Sequence, residues 1–134
     1  MASTSTAGKT ALLGIGIKGQ MEASGANPSA VFVYLAGGTT IASVNATAAA
    51  PSAGTMVISG NSGIGVATGT LTAVELRDRG GAVLRTYTIG SPSSGRDILV
   101  TPSGSGIAAS GNDIVISSVG ITIGALTLTE SPAT

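Results

Sequence analysis

Apolar residues along this chain fall in short runs that Gly, Pro, Asn and Ser interrupt, a pattern typical of β-strands separated by turns. The strongest run is 31–36 (VFVYLA), whose β-branched and aromatic residues favour a strand. The pair Gly37-Gly38 predicts a turn, and a strand over 39–44 then closes a hairpin. Shorter or weaker runs predict strands over 10–18, 54–59 and 97–101.

A second hairpin is predicted in the middle of the chain, with arms over 70–77 and 82–89. The turn between them, 78–81 (DRGG), ends in two glycines, which supply the positive φ that a tight return needs. Alternation in the first arm points one set of side chains inward, namely Thr72, Val74 and Leu76. Glu75 then points outward, where we expect it to pair with Arg85 across the hairpin.

The last apolar segment, 113–129, is too long for one strand, and 117–120 is expected to break it in two. Ile121 and Ile123 share one parity, whereas the leucines that follow at 126 and 128 share the other. Gly124 lies where the phase changes, so we predict a β-bulge there.

About eight short strands at roughly 8–12-residue spacing are the signature of an all-β sandwich or barrel. We expect one domain over 1–134, with a flexible N-terminal arm at 1–9 and a C-terminal tail at 130–134. No long helical periodicity is evident, and at most one helical turn is expected within 18–26.

The composition of the chain provides few side chains for catalysis. The chain has no His, no Cys and no Trp, and charged residues make up only 9% of it. Gly, Ala, Ser and Thr together account for more than half of the residues, so the core must come from a modest set of aliphatics. A thin core under a weakly charged surface favours stabilisation by association with other subunits.

Charge and hydropathy exclude two classes of partner. Net charge is zero and the six basic residues are scattered, so the clustered Lys and Arg of a nucleic-acid-binding protein are missing. No run of 18 apolar residues predicts a membrane span, and the polar start of the chain does not resemble a secretory signal. We therefore expect neither nucleic acid nor membrane as a direct partner.

Two glycine motifs match phosphate-binding patterns only in letters. Residues 14–19 (GIGIKG) fit G-x-G-x-x-G, but Gly25 and Pro28 interrupt the helix that should follow, and no acidic residue stands about 20 positions on. We interpret 14–19 as part of a glycine-containing strand. Gly8-Lys9-Thr10 resembles the end of a P-loop, yet position 3 is Ser where the motif needs Gly.

The six acids offer little for catalysis without a histidine, a cysteine or an activated serine. Asp78 and Asp113 stand beside turn residues and suit side-chain bonds to the backbone. A paired-carboxylate site or a calcium site in a loop stays open as an alternative. We predict no catalytic, cofactor-binding or metal-binding residue, and no enzymatic activity.

Residues 66–123 resemble a family of small β-rich virion proteins of tailed bacteriophages, some of which are capsid cement or decoration proteins. The features that carry the resemblance occur in order: Thr68-Gly69-Thr70 before a strand, the hairpin ELRDRGGAVL, Tyr87-Thr88-Ile89-Gly90, Asp97-Ile98-Leu99-Val100, Ile107-Ala108-Ala109-Ser110-Gly111-Asn112, and the strands that start at Ile114 and Ile121. The chain departs from the pattern in having no aromatic residue within 71–76.

The resemblance implies a jelly-roll-like β-sandwich that stabilises a phage head by bridging copies of the major capsid protein. It also implies self-association as a dimer or trimer, and a location on the capsid exterior after synthesis in the host bacterial cytoplasm. Two alternatives stay open: a tail, fibre or other head-associated adhesion module of similar fold, for which Phe32, Tyr34 and Tyr87 are the aromatics available, and a small hydrolase.

Overall fold

The computed structural model describes residues 5–130 and confirms the all-β fold class, with a nearly closed, barrel- or sandwich-like sheet at its centre. Within these residues twelve strands are formed, more than the eight or so expected, because 63–64 and 107–110 form strands that were not predicted, and the predicted strands over 70–77 and 121–129 each divide in two. Their bounds are β1 Ala30–Ala36, β2 Thr39–Ala48, β3 Met56–Gly60, β4 Gly63–Ile64, β5 Gly69–Thr70, β6 Ala73–Arg77, β7 Val83–Gly90, β8 Ile98–Leu99, β9 Ile107–Ser110, β10 Asp113–Ile116, β11 Thr122–Ile123 and β12 Leu126–Glu130.

Seven strands form the large sheet in the order β12-β3-β2-β1-β6-β7-β8. All neighbours are antiparallel except β7 and β8, which run parallel. The sheet curls around a core whose centre is β1, where Phe32 and Tyr34 are buried. Phe32 meets Tyr87 of β7 edge to face, with ring centroids 6.2 Å apart, so two distant strands share one aromatic contact.

Two small sheets cover one end of the large one. The first has the order β5-β10-β9, and the second pairs β11 with β4. Ile114 and Ile116 of β10 are buried in the common core, as is Ile123 of β11. The polypeptide at this end carries no charged residue within 36–42, 59–72, 100–112 or 117–125. We call it the neutral end.

Both predicted hairpins form. Gly37 and Gly38 have φ of +56° and +93°, a region that side chains with a Cβ rarely enter, so the turn requires glycine there. In the second hairpin β6 pairs with β7, and Val74 and Leu76 are buried as expected. Thr72 is exposed instead, because β6 begins one residue after it.

The N-terminal region contradicts the prediction, because 10–18 is helical rather than extended. Three consecutive pieces make one helical segment: α1 (Thr6–Leu12), a π-helical stretch (Leu13–Lys18) and α2 (Gly19–Glu22). Leu13 and Met21 are buried in the barrel core and Ile17 is partly buried. Their spacing of four places them on one face of a helix, and this packing outweighs the poor helix propensity of the segment's glycines.

The predicted terminal arms are also corrected. Ser5 caps the helix by accepting a hydrogen bond from the Gly8 amide at 3.0 Å, so 5–9 belongs to the folded structure. Thr10 Oγ1 accepts from the Gly54 amide at 2.8 Å, which ties the helix to the β2–β3 connection. Glu130 lies in β12 and is buried, so the folded part extends into the expected tail. The remainder of both arms, 1–4 and 131–134, lies outside the described residues.

The segment 113–129 breaks twice. The first break, after β10, was predicted. At Gly124 the chain leaves β11 and enters β12 of a different sheet, so the phase change there marks a sheet crossing and the bulge prediction was wrong. The register shifts instead between Tyr34 and Leu35 and between Leu76 and Arg77.

Candidate functional site

The large sheet does not close through its backbone. On its free side, β12 faces the first half of β7, and within residues 5–130 no backbone hydrogen bond joins the two strands. A cavity of about 330 Å³ lies in this gap, lined by residues of both strands and by Asp97: Arg85, Thr86, Tyr87, Leu128, Thr129 and Glu130. We call this gap the seam.

Three side chains close the seam where backbone bonds are missing. The Tyr87 hydroxyl donates a hydrogen bond to Glu130 Oε1, and Arg85 Nη2 lies 3.4 Å from Glu130 Oε2. Glu130 is only 4% exposed, so its charge depends on these partners for compensation. The Arg85–Tyr87–Glu130 group, here called the clasp, therefore holds β7 against β12.

The electrostatics of the clasp suit a structural hydrogen bond and do not suit acid–base catalysis. Burial raises the pKa of the Tyr87 hydroxyl, and its hydrogen bond to Glu130 raises the pKa further. The phenol therefore stays protonated and donates to the carboxylate throughout the physiological range. Burial likewise raises the pKa of Tyr34 to about 12.

The clasp replaces the ion pair predicted across the β6–β7 hairpin. In the observed register Glu75 faces Thr86, whereas Arg85 faces Leu76. Glu75 instead contacts Arg77 on its own strand, at 2.5 Å. Sequence reasoning missed Glu130 as a buried residue, because nothing near it in the chain indicates a partner 45 positions away.

All six carboxylates of the chain are engaged by groups of the chain itself. Asp78 Oδ1 accepts from the Gly80 and Ala82 amides, both at 2.9 Å, which confirms the predicted turn cap. Asp113 does not cap a turn as predicted; it pairs with Arg96 at 2.7 Å. Glu22 pairs with Lys18, and Glu75 pairs with Arg77. Asp97 accepts a hydrogen bond from the Thr88 amide, and Glu130 is bound by the clasp.

The glycine motif at 14–19 lies inside the helical segment and is neither a strand, as predicted, nor a strand-to-helix turn. A Cβ on Gly14 would meet Pro51 at 3.6 Å, so a connection covers this face. Lys9 and Thr10 of the P-loop-like triplet are also helical. None of these residues forms the nest of amides that a phosphate needs.

Two groups of exposed aliphatic side chains lie at opposite ends of the barrel. Leu12 and Ile15 project from the helical segment, with Ile15 81% exposed. Ile64, Val66 and Val119 lie at the neutral end, where Gly65 hydrogen-bonds to Gly120 and Ile121. Exposed apolar groups of this kind indicate surfaces for contact with other proteins, and those at the neutral end also lack charged residues nearby in the chain.

Residues 5–130 contain no group of three or more Asp or Glu placed to hold a metal ion. No helix among them has the length and apolar character that crossing a membrane requires.

No protein family, curated protein or solved structure matches this chain.

Proposed function

We propose that the chain is a structural subunit of a bacteriophage virion that cements the capsid by bridging copies of the major capsid protein. The observation that carries the proposal is the division of labour among its side chains. Every Asp and Glu side chain has a partner within the chain, whereas the exposed large residues include aliphatics at both ends of the barrel. Such a molecule is suited to contacts with other proteins and has few side chains that could carry out a reaction.

The mechanism is passive. Burying an exposed aliphatic patch stabilises an assembly by roughly 25 cal/mol per Å² of apolar surface removed from water. Ile15 at one end and Val66 at the other could contact two different neighbours, so a single subunit would link them. Repeated over a capsid lattice, such links resist the outward pressure of packaged DNA.

The barrel presents its exposed aliphatic groups at two separate ends. The helical segment covers one end of the core and the two small sheets cover the other, so Ile15 lies on the helical segment and Val66 lies just after β4. The partners in this proposal are the major capsid protein and further copies of the chain. Nucleic acid and membrane are not direct partners, and the protein is not an enzyme.

The test is the location of the chain in particles made from the genome that encodes it. Gradient-purified virions should contain the chain in a copy number comparable to that of the major capsid protein, and electron microscopy should place it on the head exterior. Particles lacking the gene should lose DNA at a lower temperature or lower chelator concentration than wild-type particles.

Two results would contradict the proposal. Absence of the chain from purified particles would remove the virion role altogether. Recovery in tail fractions with none in heads would favour the tail or fibre module over a capsid cement.

A further inference from the structure

Strand β9 presents a free backbone edge. It is the outer strand of the order β5-β10-β9 and pairs with β10 through Ile107↔Ile116, Ala108↔Val115, Ala109↔Ile114 and Ser110↔Asp113. The Ser117 amide donates to the Gly106 carbonyl, and hydrogen-bonded pairs alternate along an antiparallel ladder. Ala108 therefore bonds inward to β10, whereas the amides and carbonyls of Ile107 and Ala109 point outward.

The other free edges of residues 5–130 are blunted in ways that discourage pairing. The edges formed by β4, β5, β8 and β11 are two residues long. Those of β7 and β12 face each other across the seam, where Arg85, Asp97 and Glu130 place charges. Short length and charge are the devices by which proteins protect edges from other strands.

Strand β9 carries neither charge nor proline nor bulge. It has four residues, and Ala108, Ala109 and Ser110 are exposed and small. The nearest charged residue along the chain is Asp113, whose carboxylate is bound to Arg96 at 2.7 Å. At the start of β9 the Ser118 side chain packs directly against Gly106, where a larger residue would not fit.

We propose that β9 is a self-association edge, at which two copies of this chain pair antiparallel about a twofold axis. A second copy fits because the edge is self-complementary: it is neutral, so like meets like without repulsion, and its small side chains permit close approach on both faces. The two three-stranded sheets then become one six-stranded sheet, β5-β10-β9 followed by β9-β10-β5 of the second copy.

The outward groups determine the register. Ile107 of each copy forms a hydrogen-bonded pair with Ala109 of the other, which makes four backbone hydrogen bonds. The axis then passes beside Ala108, which faces Ala108 of the second copy as a non-hydrogen-bonded pair with Cα atoms about 4.5 Å apart.

The proposal goes beyond the virion role and is tested on the purified full chain, so its failure leaves the location experiment unaffected. Sedimentation equilibrium over a concentration series should show a monomer–dimer equilibrium for the wild-type protein. Ala109→Pro removes one outward amide from each copy without removing an amide used by β10, and should weaken dimerisation about tenfold or more. Ala109→Gly keeps the amide and should still dimerise.

A charge exchange tests the register independently. Ala108→Lys and Ala108→Glu each place like charges across the axis and should be monomeric, whereas an equimolar mixture should form a heterodimer. Ala23→Lys, an exposed alanine beyond the other end of the barrel, is the matched control and should dimerise like the wild type. Circular dichroism and thermal melting establish that each variant is folded.

A wild-type chain that stays monomeric at the highest soluble concentration would overturn the proposal. So would a dimer that Ala109→Pro and both Ala108 variants leave intact, since its interface would then lie elsewhere. A folded mixture of the Lys and Glu variants that stays monomeric would overturn the Ala108 register.

Discussion

Two edges of this molecule face the same physical problem and differ in how it is solved. At the seam, β7 and β12 leave backbone groups unpaired, and the clasp of Arg85, Tyr87 and Glu130 joins them through side chains. At β9 the outward backbone groups also lack a partner among residues 5–130, where no polar side chain crosses the edge and no charge protects it. The seam is satisfied within the chain, whereas β9 is left available to another chain.

The two edges differ in where this charge-poor protein places its charged side chains. A buried carboxylate is tolerated at the seam because two donors compensate it, and it gives that join a fixed partner. Charge is missing from the neutral end, where an unpaired Lys or Glu would oppose association.

Removing the carboxylate of the clasp should have the largest effect. Glu130→Ala leaves the Tyr87 hydroxyl buried without an acceptor, whereas Arg85 is 43% exposed and can be solvated, so we expect a loss of about 1–3 kcal/mol in the free energy of unfolding. Glu130→Gln retains an acceptor for Tyr87 and should lose less. Urea denaturation measures both, and equal stability of the wild type and the alanine variant would show that the seam closes without the clasp.

Alkaline pH should weaken the fold through its two buried tyrosines. The folded-state pKa of Tyr87 is raised, and that of Tyr34 is about 12, whereas an unfolded tyrosine titrates near pH 10. The folded state therefore holds protons that the unfolded chain releases, so this stability is complete below pH 10 and falls as the pH rises above it. The slope is about 1.4 kcal/mol per pH unit for each tyrosine.

Tyr87→Phe separates the contribution of the clasp from that of Tyr34. The variant should be less stable than the wild type at pH 8, because Glu130 loses a donor, yet its alkaline slope should be about half as steep. Urea unfolding midpoints between pH 8 and pH 11 supply the comparison. Identical slopes in the two proteins would mean that Tyr87 titrates in the folded state as it does in the unfolded chain.

The smallest effect is expected where an ion pair is exposed. Glu22 pairs with Lys18 one turn away on the helical segment, and its side chain is 58% exposed. Glu22→Ala should therefore change the free energy of unfolding by no more than about 0.5 kcal/mol. Comparing the stability losses of Glu22→Ala and Glu130→Ala distinguishes the effect of burying a carboxylate from the effect of pairing it. Similar losses in the two variants would show that burial makes no difference.

Local turn chemistry accounts for what could be predicted from the sequence. The Gly37-Gly38 turn and the Asp78 cap are determined by residues adjacent in the chain, and the strands that flank them formed as expected. The clasp could not be predicted, because Arg85 and Glu130 meet only after the sheet curls. The pairing of Arg85 depends on a register shift at Leu76, which no sequence pattern indicates.

The helical segment shows why pattern alone misled. Leu13, Ile15 and Ile17 alternate with glycines and predict a strand, yet Leu13, Ile17 and Met21 also recur at a spacing of four. Glycine in a helix costs about 1 kcal/mol relative to alanine, which favoured the extended interpretation. Burial of Leu13 and Met21 in the open end of the barrel decided the outcome, and that opening exists only in three dimensions.

The pairing of β12 with β3 also has a consequence for how quickly the native state is reached. Leu126 lies opposite Gly60 and Glu130 opposite Met56, so this ladder joins residues more than sixty positions apart. Closing so long a loop has an entropic cost before any contact compensates it, and domains dominated by such pairings fold in milliseconds to seconds. We therefore expect a refolding intermediate in which β12 has not yet joined the sheet and β3 and β7 have exposed, unpaired edges. Because of these edges, the intermediate should be the species most prone to aggregate.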